Sequence, residues 1–289
     1  GRFQAGVLKK MPQKKLERLM RIPVLSSLIR KKILKGLGLH EARYVFSGAA
    51  PLPIPLMEWF QKYLKLEVLQ GYGMTENSIY ATANVPGQSR MGSVGKPLPN
   101  AGFKLSDADE ILFKHPGVMA GYYKEPEKTR ETFTEDGYLR TGDKGRVDED
   151  GYVYITGRVK DIFKTLKGKY VSPAPIEGQL TRNTDIDQLC MVGMGLKQPL
   201  MLVSLMPGTT DSKSREDIEK ELAADMHFVN KKLEAHEQIA KIVVVKDAWT
   251  IDNGVMTPTM KVKRAEVEKR YGDLIEKEAA ARADVGWEA

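Results

Sequence analysis

The sequence predicts an α/β chain in two parts: an α/β sheet carrying a small β-rich subdomain, followed by a small α+β domain. Three observations lead there. From Arg43 onward, short apolar runs alternate with a helical stretch. Between residues 92 and 156, short strand-like runs are punctuated by Gly and Pro. Near Gly157 the pattern turns to longer strands separated by charged helices. A length of 289 residues suits about two domains, and 42% hydrophobic content is enough for ordinary cores. The boundaries drawn are 1–157 and 158–289.

The first forty residues are basic and patchily amphipathic. Leu16, Leu19 and Met20, then Leu28, Ile29, Ile33 and Leu34, fall near helical spacing, and Pro23 breaks the run. They predict one or two helices covering a sheet; the alternative is a basic helix lying on a membrane surface. Residues 44–46 read as a short buried strand and 53–64 as a helix, with Pro51 at its start. Residues 66–70 form the next strand, which delivers Gly71-Tyr72-Gly73 as a turn at its end. Ser47-Gly48-Ala49-Ala50 likewise follows a strand. Open α/β sheets bind ligands beyond the carboxyl ends of their strands, so these two loops converge on one edge. In the second part, strands are expected at 189–192, 201–205 and 239–245, and a charged helix at 214–235. A last helix at 262–283 turns Val267, Tyr271, Leu274 and Ile275 to one face, and the Ala/Glu-rich tail after Glu276 is expected to fray.

Composition narrows the function. With 45 Lys and Arg against 38 Asp and Glu, the net charge of +7 suits anionic partners such as nucleotide phosphates, CoA or a lipid surface. The basic residues are mixed with acidic ones and lack interleaved aromatic residues, which argues against nucleic acid. The single cysteine, Cys190, allows no internal disulfide and sits in an apolar run, as a buried inert thiol does. No run reaches the roughly 18 apolar residues of a membrane helix. These features suit a cytoplasmic protein, with peripheral contact to a membrane left open. His40, His115, His227 and His236 show no metal-ligand spacing.

Four segments carry chemistry: Gly71-Tyr72-Gly73-Met74-Thr75-Glu76, Tyr138-Leu139-Arg140-Thr141-Gly142-Asp143, Gly157-Arg158-Val159-Lys160-Asp161 and Thr257-Pro258-Thr259-Met260-Lys261. In the first, the glycines allow close backbone approach, Tyr72 offers a flat ring for a base and Thr75 a hydroxyl for a phosphate oxygen. Glu76 offers a hard carboxylate for Mg²⁺. The competing reading is a glycine turn with Thr75 capping a helix. Asp143, read as following a turn, suits bidentate acceptance of two ribose hydroxyls; the competing reading is an Asx-turn.

Taken in order, the four segments resemble the adenylate-forming superfamily, most closely its AMP-forming long-chain fatty-acid CoA ligases. The resemblance runs from about Lys35 to Arg270. It implies ATP-dependent activation of a fatty acid to acyl-AMP and transfer to CoA, with ATP or AMP, Mg²⁺ and CoA as cofactors and co-substrates. It assigns Thr75, Glu76 and Lys261 to catalysis, with Glu76 the metal ligand. Nucleotide binding falls to Gly48, Ala49, Ala50, Tyr72, Gly73, Met74, Thr75, Asp143, Arg158, Lys160 and Lys164. Gly168 borders the pantetheine tunnel, and Lys160 is the hinge about which a small, mobile second domain turns. Most of the superfamily has Gly before the adenylation lysine. Here Met260 precedes Lys261, which leaves Lys263 as a rival; the ten-residue gap from Lys261 to Tyr271 favours Lys261. The family's Ser/Thr/Gly-rich phosphate loop finds no counterpart before Gly48. The expectation is therefore the carboxy-terminal part of a longer enzyme, with only part of a large first domain and with the missing amino-terminal part as its natural partner. The alternatives are an adenylate-binding fragment without complete activity, or an acyl-AMP ligase that loads a carrier protein.

Overall fold

The computed structural model describes residues 7, 11, 13–50 and 52–289. The chain divides into two compact units, Gly1–Val159 and Lys160–Ala289.

In the first unit, β1 (Val45–Ser47) runs parallel to β2 (Val68–Tyr72), pairing Val45 with Val68 and Ser47 with Gln70. The crossover between them is helix Ile54–Trp59, which widens into a π-helical turn over Phe60–Leu64 and stops at Lys65 in the left-handed region. Trp59, Tyr63 and Leu64 are buried on this crossover, together with Leu16 of helix Gln13–Met20. Ile29, Ile33 and Leu34 of helix Pro23–Gly36 pack against the same cluster. The early helices thus cover the crossover helix rather than a sheet face. β1 is not the buried strand expected: it is the edge of its sheet, and Phe46 is 61% exposed. β3 (Thr82–Ala83) and β4 (Lys96–Pro97) complete the order β1-β2-β3-β4.

The second sheet of this unit is the antiparallel meander β5 (Gly102–Leu105), β6 (Glu110–Lys114), β7 (Leu139–Val147) and β8 (Val153–Arg158). Ile111, Phe113 and Val153 are buried with Ala81, and Tyr72 of β2 and Val94 of the loop before β4 pack against them. This shared cluster fixes the end of β2 relative to β6 and β8, the two strands that flank β7. Register shifts occur in β6–β7 between Glu110 and Leu112 and in β7–β8 between Lys144 and Gly145. Such bulges re-aim neighbouring side chains.

In the second unit, the hairpin β9 (Phe163–Lys164) and β10 (Tyr170–Val171) precedes helix Pro173–Leu180. The main sheet follows, in the order β11 (Ile186–Val192), β12 (Leu200–Leu205), β13 (Lys241–Val244) and β14 (Val285–Trp287). Alternation along the strands divides the side chains between two cores. Met191, Met201, Val203, Ile242 and Val244 meet Ile218, Leu222 and Met226 of helix Arg215–Asn230. Cys190, Leu200, Leu202 and Val243 meet Trp249, Val267 and Tyr271 on the other side. A sheet covered on both faces reads as continuous apolar runs, as 189–192 and 200–203 do.

Helix Arg215–Asn230 is capped by Ser214, whose hydroxyl accepts from the Asp217 amide at 3.1 Å, and ends five residues before the expected 235. The single last helix is instead two, Arg264–Arg270 and Gly272–Ala280. They break at Tyr271, whose hydroxyl accepts from Trp249 Nε1 at 3.1 Å, next to the helix-weakening Gly272. The tail does not fray. It returns as β14, parallel to β13, and Trp287 Nε1 donates to Glu219 at 2.8 Å. Lys241 and Glu278 form a buried ion pair at 2.8 Å behind it. Among the described residues no helix is long and apolar enough to cross a membrane.

Candidate functional site

The in-register parallel pair β1–β2 brings its two following loops together. A Cβ on Gly48 would lie 3.4 Å from the Gly71 carbonyl oxygen, so 48–50 and 71–76 share one sheet edge, as the sequence predicts. Ala49 adopts φ of +65° there. Pro51, read as the helix start, lies outside the described residues.

Gly71 and Tyr72 are not a turn. They belong to β2 and pair with Ala83 and Thr82 of β3. The chain turns only at Gly73, where a Cβ would sit 2.6 Å from the Cα and carbonyl oxygen of Ile79. That glycine is required by the loop's own packing. Met74, not Thr75, precedes the short 3₁₀ turn Thr75–Asn77, and its amide donates to Asn77 Oδ1 at 3.0 Å. Thr75 is therefore no helix cap; it stands exposed at the first position of the turn. Ser78 and Ile79 follow with φ of +54° and +61°. A β-branched residue in that region is strained.

Asp143 likewise follows no turn; it sits inside the long strand β7, opposite Arg158 of β8. Glu110 Oε1 accepts from the Gly142 amide at 3.0 Å, and the Thr141 hydroxyl donates to the Ile111 carbonyl at 2.8 Å. The Asp143 carboxylate, 16% exposed, is held from two sides. Tyr72 donates its hydroxyl to Oδ2 at 2.6 Å, and Arg158 Nε lies 3.0 Å from Oδ1. Each oxygen keeps a second lone pair, enough to accept from a vicinal diol. Burial, and then the neighbouring Asp143 charge, hold the Tyr72 phenol well above its ordinary pKa, so it stays a donor. Sequence reasoning took Tyr72 for its ring alone. The hydrogen bond across 71 residues had no sequence signal.

Glu76 gives one oxygen to the protein. Tyr122 donates its hydroxyl to Oε1 at 2.8 Å, and the Met119 amide donates to the Glu76 carbonyl at 2.7 Å. Among the described residues no three His, Cys, Asp or Glu side chains cluster as a metal cage would require. A single carboxylate suits Mg²⁺, which keeps several waters and takes its other ligands from substrate phosphates. His115 also lies closer to this loop than its sequence suggested. Its ring stands edge-on to Tyr80 at 5.5 Å, and its Nδ1 accepts from Gly117 at 3.1 Å.

The remaining predicted residues lie in the second unit. Lys160 is its exposed first residue. Lys164 and Gly168 belong to the β9–β10 hairpin, with Gly168 at φ of +76° in its turn. Lys261 closes a separate hairpin. The Thr257 amide donates to the Lys261 carbonyl at 2.8 Å, and Met256 and Val262 form a β-bridge. Met260 has φ of +61°, a conformation that glycine favours. Lys263 is instead the residue preceding helix Arg264–Arg270. Cys190 is buried as expected, its thiol pushed up to about 12 by burial.

Comparison with known proteins matches residues 8–123 to the AMP-binding enzyme family model and residues 160–282 to the AMP-binding enzyme C-terminal domain. Long-chain-fatty-acid–CoA ligase 6 of Mus musculus is 32% identical over 277 residues, covering 86% of this chain and 40% of the relative. Long-chain-fatty-acid–CoA ligase FadD15 of Mycobacterium bovis is 33% identical over 269 residues, covering 88% of this chain and 44% of the relative. The crystal structure of the anthranilate CoA ligase AuaEII in complex with anthranoyl-AMP superposes with a TM-score of 0.67 at 26% identity, covering 80% of this chain and 45% of that one. The chain thus spans about two-fifths of the length of the curated relatives it matches.

Proposed function

The chain belongs to the AMP-binding, adenylate-forming enzymes, and from that premise we propose that it carries the adenylate-binding part of a fatty-acid–CoA ligase. The observation that carries this reading is Asp143 held between Tyr72 and Arg158, with the Thr75–Asn77 turn three residues beyond Tyr72. In the reaction, a carboxylate oxygen of the fatty acid attacks the α-phosphorus of ATP, and pyrophosphate leaves. The thiolate of CoA then attacks the acyl carbon, forming the thioester and releasing AMP.

Each residue has a part in this scheme. Tyr72 and Arg158 fix the Asp143 carboxylate so that its remaining lone pairs accept the two ribose hydroxyls without reorganising. Arg158 also offers positive charge near the ribose and phosphate. Gly48, Ala49 and Ala50 leave room for the base. Thr75 donates its hydroxyl to an α-phosphate oxygen. Glu76, with the nucleotide phosphates, would hold Mg²⁺, which supplies charge neutralisation at the α-phosphate. Lys261 is the mobile cation that pairs with carboxylate and phosphate oxygens. Lys160 and Lys164 contact the phosphate, and Gly168 keeps the pantetheine path open. Rotation of the second unit about Lys160 separates the two half-reactions.

Calorimetric titration with a non-hydrolysable acyl-AMP analogue tests the reading, beside Asp143→Ala. Loss of two charge-assisted hydrogen bonds predicts weakening of about a hundredfold or more. An affinity that Asp143→Ala leaves unchanged overturns it.

A further inference from the structure

The loop between β6 and helix Pro126–Thr132 is fastened to the Thr75–Asn77 turn at three points. The Ser78 hydroxyl donates to the Gly117 carbonyl at 2.7 Å, the Met119 amide to the Glu76 carbonyl at 2.7 Å, and the Tyr122 hydroxyl to Glu76 Oε1 at 2.8 Å. The first two bonds fix the backbone of the turn. Only the third reaches the carboxylate. Tyr122 is itself anchored, since its amide donates to Thr129 Oγ1 at 2.9 Å and its ring lies 4.4 Å from the Lys128 ammonium. Helix Pro126–Thr132 supplies both anchors, so the phenol is held against that helix.

We propose that Tyr122 is a positioning residue for metal binding: it holds Glu76 through Oε1 and leaves Oε2 directed to a divalent cation. The inference rests on the reading of Glu76 as a magnesium ligand. A free glutamate must lose rotamer freedom when it binds a cation. A carboxylate already fixed by a phenol has lost it beforehand, and donation to Oε1 occupies one of its lone pairs and leaves Oε2 the more open ligand. Partners one step behind a metal ligand contribute about 10–100-fold to metal affinity. The hydroxyl, not the ring, does this, so Tyr122→Phe isolates the effect while keeping the packing against Lys128.

The test uses the whole chain, with Mn²⁺ as the probe in the presence of an ATP analogue whose α–β bridge is methylene. Mn²⁺ affinity is read by electron paramagnetic resonance. The acyl-AMP analogue is titrated separately without metal, and melting temperature is recorded for every variant. Tyr122→Phe is expected to weaken Mn²⁺ about tenfold, leaving analogue affinity and melting temperature unchanged. Glu76→Gln should abolish specific Mn²⁺ binding. Ser78→Ala loosens the same turn without touching the carboxylate, and should leave Mn²⁺ affinity unchanged. Equal losses in Ser78→Ala and Tyr122→Phe would reduce Tyr122 to a structural tie and overturn the proposal, as would a Tyr122→Phe chain with wild-type Mn²⁺ affinity. If the acyl-AMP analogue binds but Mn²⁺ does not, the metal role of this loop fails and the adenylate reading stands. If neither binds, both fail.

Discussion

In the second unit, each strand from β11 to β13 sends alternate side chains into two cores, and one such side chain, Leu202, is fully buried. In the first unit, the sheet β1–β4 ends in a three-residue edge strand with Phe46 largely exposed, and the loop beyond β2 holds a strained Ile79 that is 73% exposed. Polar bonds, rather than apolar burial, fix that loop. The contrast shows how the chain divides its tasks. Apolar packing supplies stability where the fold is regular, and hydrogen bonds hold irregular backbone where charged chemistry is proposed. Strained backbone persists only where its surroundings over-determine it; here Gly73, Asn77 and the Tyr122 loop do so.

The largest effect expected from breaking this contrast lies at the Lys241–Glu278 pair, where the lysine side chain is 2% exposed. Lys241→Met alone leaves a buried carboxylate unpaired and should cost about 3–5 kcal/mol in urea unfolding. Adding Glu278→Leu should recover most of that loss. A single variant of wild-type stability would show that the second unit does not rely on this pair. Next in size, Leu202→Ala should cost about 2–5 kcal/mol, and Phe46→Ala less than about 1 kcal/mol. Equal costs in the same denaturation experiment would erase the distinction between the units. A smaller effect, with opposite sign, is expected at Ile79. Glycine relieves its left-handed backbone, for a net gain of about 0.5–1 kcal/mol after the entropy of the unfolded chain is counted. Calorimetric melting of Ile79→Gly checks this, and a loss would mean the turn is not strained.

The last effect is absent at neutral pH and confined to alkaline pH. Burial raises the Cys190 thiol from its ordinary 9.0 to about 12. The folded state thus keeps the proton that the unfolded state gives up. The contribution is fully present below about pH 9 and is lost as pH rises toward 12. Cys190→Ala should therefore flatten the fall in stability over that window, and the folded wild type should resist a charged thiol reagent at pH 8 until denatured. A thiol that reacts freely in the folded chain would place Cys190 outside the core.

Local pattern revealed some elements and hid others. The parallel pair β1–β2 and the β11 and β12 runs were legible because apolar period and flanking punctuation are local signals. Helix Pro173–Leu180 went unread, although Pro173 and Pro175 in its first turn are a start signal. The break at Tyr271 was invisible because Val267, Tyr271, Leu274 and Ile275 keep helical spacing across it. The tail looked unpartnered, since nothing local to 285–287 announces a parallel pairing with residues 242–244.

The same divide runs through the site. Sequence alone determined the family, the two strand-end loops and the residue types that chemistry needs, because short motifs hold their glycines, hydroxyls and carboxylates within a few positions. Only the tertiary structure joined Tyr72 to Asp143 and Tyr122 to Glu76, and placed Met260 in a glycine's conformation. The two hydrogen bonds depend on where two sheets pack and where a loop crosses; the Met260 conformation depends on its own hairpin. Contacts between residues far apart in sequence are decided by packing, and the sequence carries no local record of them.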